Sequence, residues 1–450
     1  MDENTFLDEH AAYAGSLRVI TPESYSRYGV KRGLRNDDGT GVLVGLTEIG
    51  DVHGYILDEG EKTAVEGRLR YRGIDVKDIV SGFQQDNRFG YEETVYLLLF
   101  GTLPTQQQLS DFIELLGEKR SMPTGYWEDI IMRSPSTDIM NKLGRAVLGA
   151  YSYDQNPEDY SIKNILRQCI ELIARFPALV AYSYQSKRRF FDNESLHVHS
   201  PDPRLSTAEN FLQMIRPDQH FTKLEAEVLD LALVLHAEHG GGNNSAFTVH
   251  VVSSAYTDTY SAISAAVGSL KGLRHGGANN RVMGMMHNLQ EKISSWDDSD
   301  AIASHLRLLL EGREYDNSGL IYGMGHAIYT LSDPRAILLK AKAEELAQAK
   351  GGKLLEEFEL YKRVEILTPE VFRRVKKSDK VVAPNVDFYS GFVYKMLNIP
   401  PELYTPIFAL SRIAGWAAHR MEELSIGSRI YRPAYKNVLG GQAYSRLNDR

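Results

Sequence analysis

The chain runs to 450 residues, 43 % of them apolar, which is enough to bury a large core and to build two or three structural units. A formal net charge of −8 excludes the global positive field on which nucleic-acid binding draws. A single cysteine, Cys169, excludes an internal disulfide and a Cys-rich zinc site, and its apolar helix-like surroundings predict core packing.

Residues 1–40 read as a polar arm. Thr21, Pro22 and Glu23 form a helix start, and Asn36 to Gly39 form a turn. The opening stretch carries acids and no apolar h-region, and no apolar run reaches the ~20 residues that span a bilayer, so a cytoplasmic protein without membrane partners is expected. Between Gly41 and Tyr71, short β-rich pieces (Val42 to Val44, Tyr55 to Leu57) separated by polar breaks predict a small hairpin region.

Past residue 72 the pattern is helical. Tyr91–Phe100 ends at Gly101, a helix-terminating glycine, and Thr105 with Gln108 forms a capping box for the next helix. Segment 257–272 is rich in Ala, Ser and Gly, and a helix there lets a second helix approach closely, either within the chain or across a subunit interface. Thr368, Pro369 and Glu370 supply an N-cap, a first-turn proline and a first-turn acid, predicting a new helix start. Helices continue to about residue 425 without βαβ alternation, so the fold class is mainly α. The basic run Arg373, Arg374, Lys376 and Lys377, with Lys380, reads as a solvated helix face or as a contact for a phosphate-rich ligand.

Several motifs fail. Gly240 to Gly242 lack the last glycine and the βα context of a dinucleotide fingerprint, Ser245 standing in that place, and Gly351, Gly352 and Lys353 are followed by Leu354 rather than Ser or Thr. There is no G-x-S-x-G elbow and no H-E-x-x-H. His236 and His239 are spaced to share a metal but have no third ligand nearby, so no metal is assigned to them; one reads as structural and the other as ligand-binding.

Four segments carry the chemistry: 236–245 (HAEHGGGNNS), 272–279 (GLRHGGAN), 323–335 (GMGHAIYTLSDPR) and 384–391 (PNVDFYSG). On these the chain closely resembles the citrate synthase family from about Gly41 to Pro433, bacterial citrate and 2-methylcitrate synthases included. The resemblance implies a mainly α, two-domain helical fold with a small N-terminal β-hairpin region. It implies a large domain of residues 1–276 plus 399–450, with 1–40 as an arm, and a small domain of 277–398.

It also implies an acyltransferase that condenses acetyl-CoA with oxaloacetate and hydrolyses citryl-CoA, with no permanently bound cofactor. By resemblance, Asp387 is the base that takes a methyl proton, His275 stabilises the enol, and His326 protonates the ketone. Ser245 orients His275. His239, Arg335, Arg412 and Arg432 bind the dicarboxylate, and Gly323, Met324, Gly325 and Lys380 bind the coenzyme. In the family the arginine matching Arg432 comes from the neighbouring subunit, which implies a homodimer.

The roles suit the residue types. A methyl group α to a thioester is a very weak acid, so its removal needs a placed base and a stabilised enolate oxygen. His275 sits before a helix that starts near Gly276 to Ala278, where the macrodipole disfavours a cation and keeps the imidazole neutral. Guanidinium groups bind carboxylates through paired charge-assisted bonds. Taken singly, each of these residues reads as a turn, packing or surface position.

Two departures from the family stand beside His239, where Glu238 and Gly240 replace a common Asp and Glu. A third is Ala327, where many bacterial members have arginine. A 2-methylcitrate synthase acting on propionyl-CoA, a citryl-CoA lyase and a non-catalytic regulator are the competing readings.

Overall fold

The computed structural model describes residues 2–16, 20–58, 61–427 and 429–449. It divides into two units, Met1–Leu46 with Tyr431–Arg450, and Thr47–Ile430. In the first, Thr21 caps the helix Pro22–Arg27 through a capping box, with Pro22 in its first turn as the sequence predicts. Gly39, at φ +81°, closes the turn that begins at Asn36. The helices Glu3–Ser16 and Pro22–Arg27 bury no residue, so this arm has no helical core of its own.

In the larger unit the β region is displaced from its expected place. Val42 to Val44 are not a strand. The hairpin pairs Gly50–Asp58 with Glu61–Tyr71, and the two-residue strand Ile74–Asp75 adds to its edge. The reason is burial. Leu43 is 86 % exposed, whereas Ile49, Leu69 and Tyr71 are fully buried, so β propensity at 42–44 has no packed face to serve. The register shifts between His53 and Tyr55. A Cβ at Gly54 would lie 2.5 Å from the Ile328 carbonyl oxygen and one at Gly67 2.0 Å from that of Ser332. Glycine at both positions lets the hairpin backbone lie directly on the 328–332 loop.

Local capping chemistry sets the helices that follow. Gly101 ends Tyr91–Phe100 at φ +81°, and the Thr105–Gln108 capping box starts Gln106–Lys119, both as expected. Further boxes at Ser206 with Glu209 and Thr222 with Glu225 start Thr207–Ile215 and Lys223–His236. The expected start at Thr368 is corrected, because Gly352–Lys376 is one helix with Pro369 inside it. Thr368 Oγ1 donates backward to the Val364 carbonyl at 2.6 Å instead of capping forward. The helix continues through Pro369 to Lys376.

Ile162–Phe191, Lys223–His236, Val386–Met396 and Tyr404–Ile426 form the centre of the core. From Val228 to His236 every residue of Lys223–His236 is buried, the mark of a helix enclosed on all sides. Each buried Leu or Ile contributes about 1.5–3 kcal/mol. Cys169 is fully buried and burial pushes its thiol up to about 12, so it packs and does not react.

Helix Thr259–Lys271 receives Ile139–Gly149 closely along its small-residue face, with Ser264 Oγ donating to the Gly144 carbonyl at 2.9 Å. Within the expected small domain, Val386–Met396 packs on Ala278–Lys292 and Pro334–Lys350.

Candidate active site

Helix Lys223–His236 runs out into the loop carrying Glu238 and His239, and Gly240 turns the chain at φ +82°. Glu238 is fully buried, accepts a hydrogen bond from the Gly240 amide, and pairs with His419 Nε2 at 3.0 Å. A Cβ at Gly415 would stand 2.3 Å from Glu238 Oε2, so that glycine lets Tyr404–Ile426 pass close to the loop. These contacts supply the support for His239 that the unusual neighbours Glu238 and Gly240 left open in the sequence.

Asn243 then caps Asn244–Ser253 by accepting the Ser245 amide at 3.2 Å. Ser245 Oγ lies 3.2 Å from His275 Nε2, 2.9 Å from Asn243 Oδ1 and 3.0 Å from Trp416 Nε1. An indole can only donate, so Trp416 occupies a lone pair of the hydroxyl and leaves its hydrogen for His275 or Asn243. Asn243 Oδ1 has a second lone pair for that hydroxyl at 2.9 Å; turned to His275 instead, the hydroxyl holds the imidazole proton on Nδ1.

His275 itself precedes Ala278–Lys292 by three residues, at the helix N-terminus foreseen for it. Gly276 is required there, since a Cβ would meet the Leu270 carbonyl oxygen at 2.2 Å. Burial first, and the Arg412 charge second, lower the His275 pKa to about 4, leaving a neutral ring at pH 7.

Two loops are laced together on the other side. Gly323 and Gly325 hold φ of +78° and +87°. Asn385 N donates to the Gly323 carbonyl at 2.8 Å, Gly325 N to that of Ala383 at 2.7 Å, and Asn385 Nδ2 to that of Gly325 at 2.8 Å. His326 and Asp387 are therefore set by one backbone frame. His326 Nδ1 accepts the amides of Ile328 and Tyr329 at 3.1 and 3.2 Å, which assigns the proton of its neutral ring to Nε2. The ring stacks on Tyr329 at 4.8 Å and meets His239 edge-on at 5.4 Å.

Asp387 stands in the first turn of Val386–Met396, its amide held by the Asn385 cap at 2.9 Å. The residue is half-buried, yet its carboxyl is removed from water, and that desolvation raises its pKa to about 6 against the pull of Arg335 and with the push of Asp333.

Arg335 and Arg412 supply positive charge in different ways. Arg335 is paired: Asp333 accepts from its Nε at 3.0 Å and its Nη2 at 2.8 Å, and also takes the Val386 amide at 3.2 Å. Arg412 is 1 % exposed and gives its Nε to the His236 carbonyl at 2.6 Å, while Nη1 and Nη2 have no protein partner. His236 Nδ1 and Nε2, His239 Nε2 and Tyr329 Oη are likewise buried without one. Burial and the two arginines hold both histidines well below the usual imidazole range. The charge of Arg412 acts on His236, His239, His275 and Asp387 alike, and the His239 ring lies against those of His326 and Tyr329. A buried centre of unpaired donors suits an anion with several oxygens.

Of the remaining expected positions, Lys380 is exposed on the loop after Gly352–Lys376. Part of the nearby basic run is used within the protein, Arg374 on Glu370 and Lys376 on the Leu310 carbonyl at 2.6 Å. Arg432 is exposed in the terminal unit. Sequence reasoning missed Asp333, Trp416 and His419. Only Asp333 left a local trace, as the Asp-Pro cap of Pro334–Lys350. Among the described residues, His236 and His239 do not assemble a metal-ligand set.

Residues 38–434 match the family model described as citrate synthase, C-terminal domain. A curated citrate synthase of Haloferax volcanii is 33 % identical over 408 residues, covering 90 % of this chain and 94 % of the relative. A 2-methylcitrate synthase of Shewanella oneidensis is 32 % identical over 370 residues, covering 81 % and 87 %. Among solved structures, citrate synthase of Thermoplasma acidophilum, in a ternary complex with carboxymethyl coenzyme A and oxaloacetate, superposes with a TM-score of 0.74 at 26 % identity, covering 93 % and 99 %.

Proposed function

The chain belongs to the citrate synthase family and is an acyltransferase of that type, and from that premise we propose that it condenses acetyl-CoA with oxaloacetate and hydrolyses citryl-CoA to citrate and free CoA. The observation that carries the reading is the buried Arg412 guanidinium with two unpaired nitrogens beside His239 and Arg335. A dicarboxylate substrate supplies the oxygens those nitrogens lack, each charge-assisted bond contributing ~1.5–3 kcal/mol.

In this mechanism Asp387, with a pKa of about 6, takes the methyl proton of the thioester. His275, neutral and donating from Nδ1, stabilises the enol oxygen. The enol carbon attacks the oxaloacetate ketone while His326 donates its Nε2 proton to the forming alkoxide. His239, Arg335 and Arg412 hold the dicarboxylate, joined by Arg432 from the second subunit of a homodimer. The Gly323–Gly325 backbone and Lys380 hold the coenzyme. Residues 277–398 act as the small domain whose closure excludes water before enolisation.

The similarity to a 2-methylcitrate synthase supports a second reading in which propionyl-CoA is the better donor. One methylene discriminates by only ~1–3 kcal/mol, so a few pocket atoms decide between the two. Measuring kcat/KM for acetyl-CoA and propionyl-CoA with oxaloacetate, with the products identified chromatographically, tests the choice. A higher value for acetyl-CoA with citrate as product supports the first reading. A propionyl preference with 2-methylcitrate as product replaces it with the second.

A further inference from the structure

A second buried polar cluster lies on the far side of the 238–241 loop, where helix Asn244–Ser253 meets Tyr404–Ile426. Its inner atoms are His250 Nε2 and His419 Nδ1, 3.1 Å apart, and Glu422 Oε2, 3.8 Å from the latter; all three lie within 4.8 Å of one another. The outer nitrogen of each imidazole is held by a carboxylate, His250 Nδ1 by Glu423 at 2.7 Å and His419 Nε2 by Glu238 at 3.0 Å. Glu422 Oε1 is fixed by the Glu48 amide at 2.7 Å, while Oε2 is buried without a hydrogen-bond partner.

We propose that His250 Nε2, His419 Nδ1 and Glu422 Oε2 bind a divalent transition-metal ion of the zinc class. Three features support this and none depends on the catalytic reading. Tetrahedral zinc with bonds of about 2.0–2.1 Å separates its ligand atoms by about 3.3 Å, close to the 3.1 and 3.8 Å found. Carboxylates on the outer nitrogens are the usual second support of metal-bound histidines, fixing ring orientation and leaving the inner nitrogens to the ion. The cluster gathers three carboxylates, Glu238, Glu422 and Glu423, so a dication offsets charge that burial penalises.

Gly241 brings the backbone of the 238–241 loop close to both imidazoles. A Cβ there would sit 3.3 Å from His250 Nε2 and 3.5 Å from His419 Cε1. Without a metal, a proton between the two inner nitrogens makes their hydrogen bond. The ion replaces that proton and releases it to solvent. Bound there, it would tie Tyr404–Ile426 to Asn244–Ser253.

The test uses the full chain with any affinity tag removed, stripped with EDTA and titrated with zinc sulfate alone. Metal retained per chain is measured by elemental analysis and affinity by calorimetry. One zinc per chain is expected, with a raised melting temperature and proton release. Cobalt substitution should give the intense visible absorption of a four-coordinate site.

His250→Ala and Glu422→Gln should abolish stoichiometric binding, and Glu423→Gln should weaken it by about 10–100-fold through loss of the carboxylate charge behind His250. His287→Ala, in an exposed His–Glu pair, should bind as the unaltered chain does. Should His250→Ala fail to fold, Glu422→Gln decides. No zinc retained by the unaltered chain, or unchanged binding in Glu422→Gln, overturns the proposal.

Discussion

Helix Tyr404–Ile426 carries two buried polar clusters of opposite character. Toward its start, Arg412 joins His236 and His239 in a centre whose unpaired atoms are donors and imidazole nitrogens under strong positive potential. Two turns on, His419 joins Glu238, Glu422 and Glu423, and the unpaired atoms there are carboxylate oxygens. Arg412 and His419 are seven residues apart and so share a helix face, with Trp416 between them. What the contrast teaches is that the sign of the atoms lacking a hydrogen-bond partner separates the two clusters. The first suits a carboxylate anion and the second a cation.

The largest expected effect breaks the anion pole. Arg412→Met should lower kcat/KM for oxaloacetate by roughly 10²–10⁴, from the loss of two charge-assisted bonds. Thermal stability should change little, since loss of the Nε bond to the His236 carbonyl is offset by removing two buried nitrogens without protein partners. Steady-state kinetics and a melting curve on one preparation check both halves.

His419→Ala should do the reverse at the other pole. It strands the Glu238 carboxylate and should cost about 3–5 kcal/mol in denaturant unfolding, with Glu238→Gln in the same chain recovering most of it.

The pH dependence sharpens the first pole. Asp387, raised from 3.8 to about 6, is protonated below that value and cannot act as a base. Activity should therefore fall as pH drops through about 6, read as the acid limb of kcat/KM. Stability runs the other way. A folded pKa above the unfolded one means that stability declines as pH rises from about 4 through about 6, so Asp387→Asn should raise the melting temperature at pH 8 while abolishing turnover.

The smallest effect belongs to Trp416→Phe. Losing one hydrogen bond to Ser245 should lower kcat by about 2–10-fold, ~0.5–1.5 kcal/mol, with KM for oxaloacetate unchanged. An equal rise in KM would show instead that the indole serves packing of the whole site.

How far the sequence revealed all this depended on distance along the chain. The caps at Thr105, Gly101 and Thr21 were legible because their partners lie within three or four residues. Thr368 misled because a threonine hydroxyl before proline can bond backward as well as forward, and only the surrounding packing decides. The strand start was misplaced because β propensity at Val42 to Val44 says nothing about which residues find a buried face.

The motif residues of the site stood out through family resemblance. Their supports did not, since Ser245 and Trp416 are 171 positions apart and Glu238 and His419 are 181. No local pattern encodes a pairing of that range. Glu238 looked like a deviation until the fold supplied its partner.

Calorimetric titration of oxaloacetate into the unaltered chain, Arg412→Met and Glu422→Gln tests the two-pole account most directly. The account predicts binding to the unaltered chain and to Glu422→Gln, and at least a hundredfold weaker binding to Arg412→Met with its fold intact. Oxaloacetate binding to Arg412→Met as tight as to the unaltered chain would contradict it.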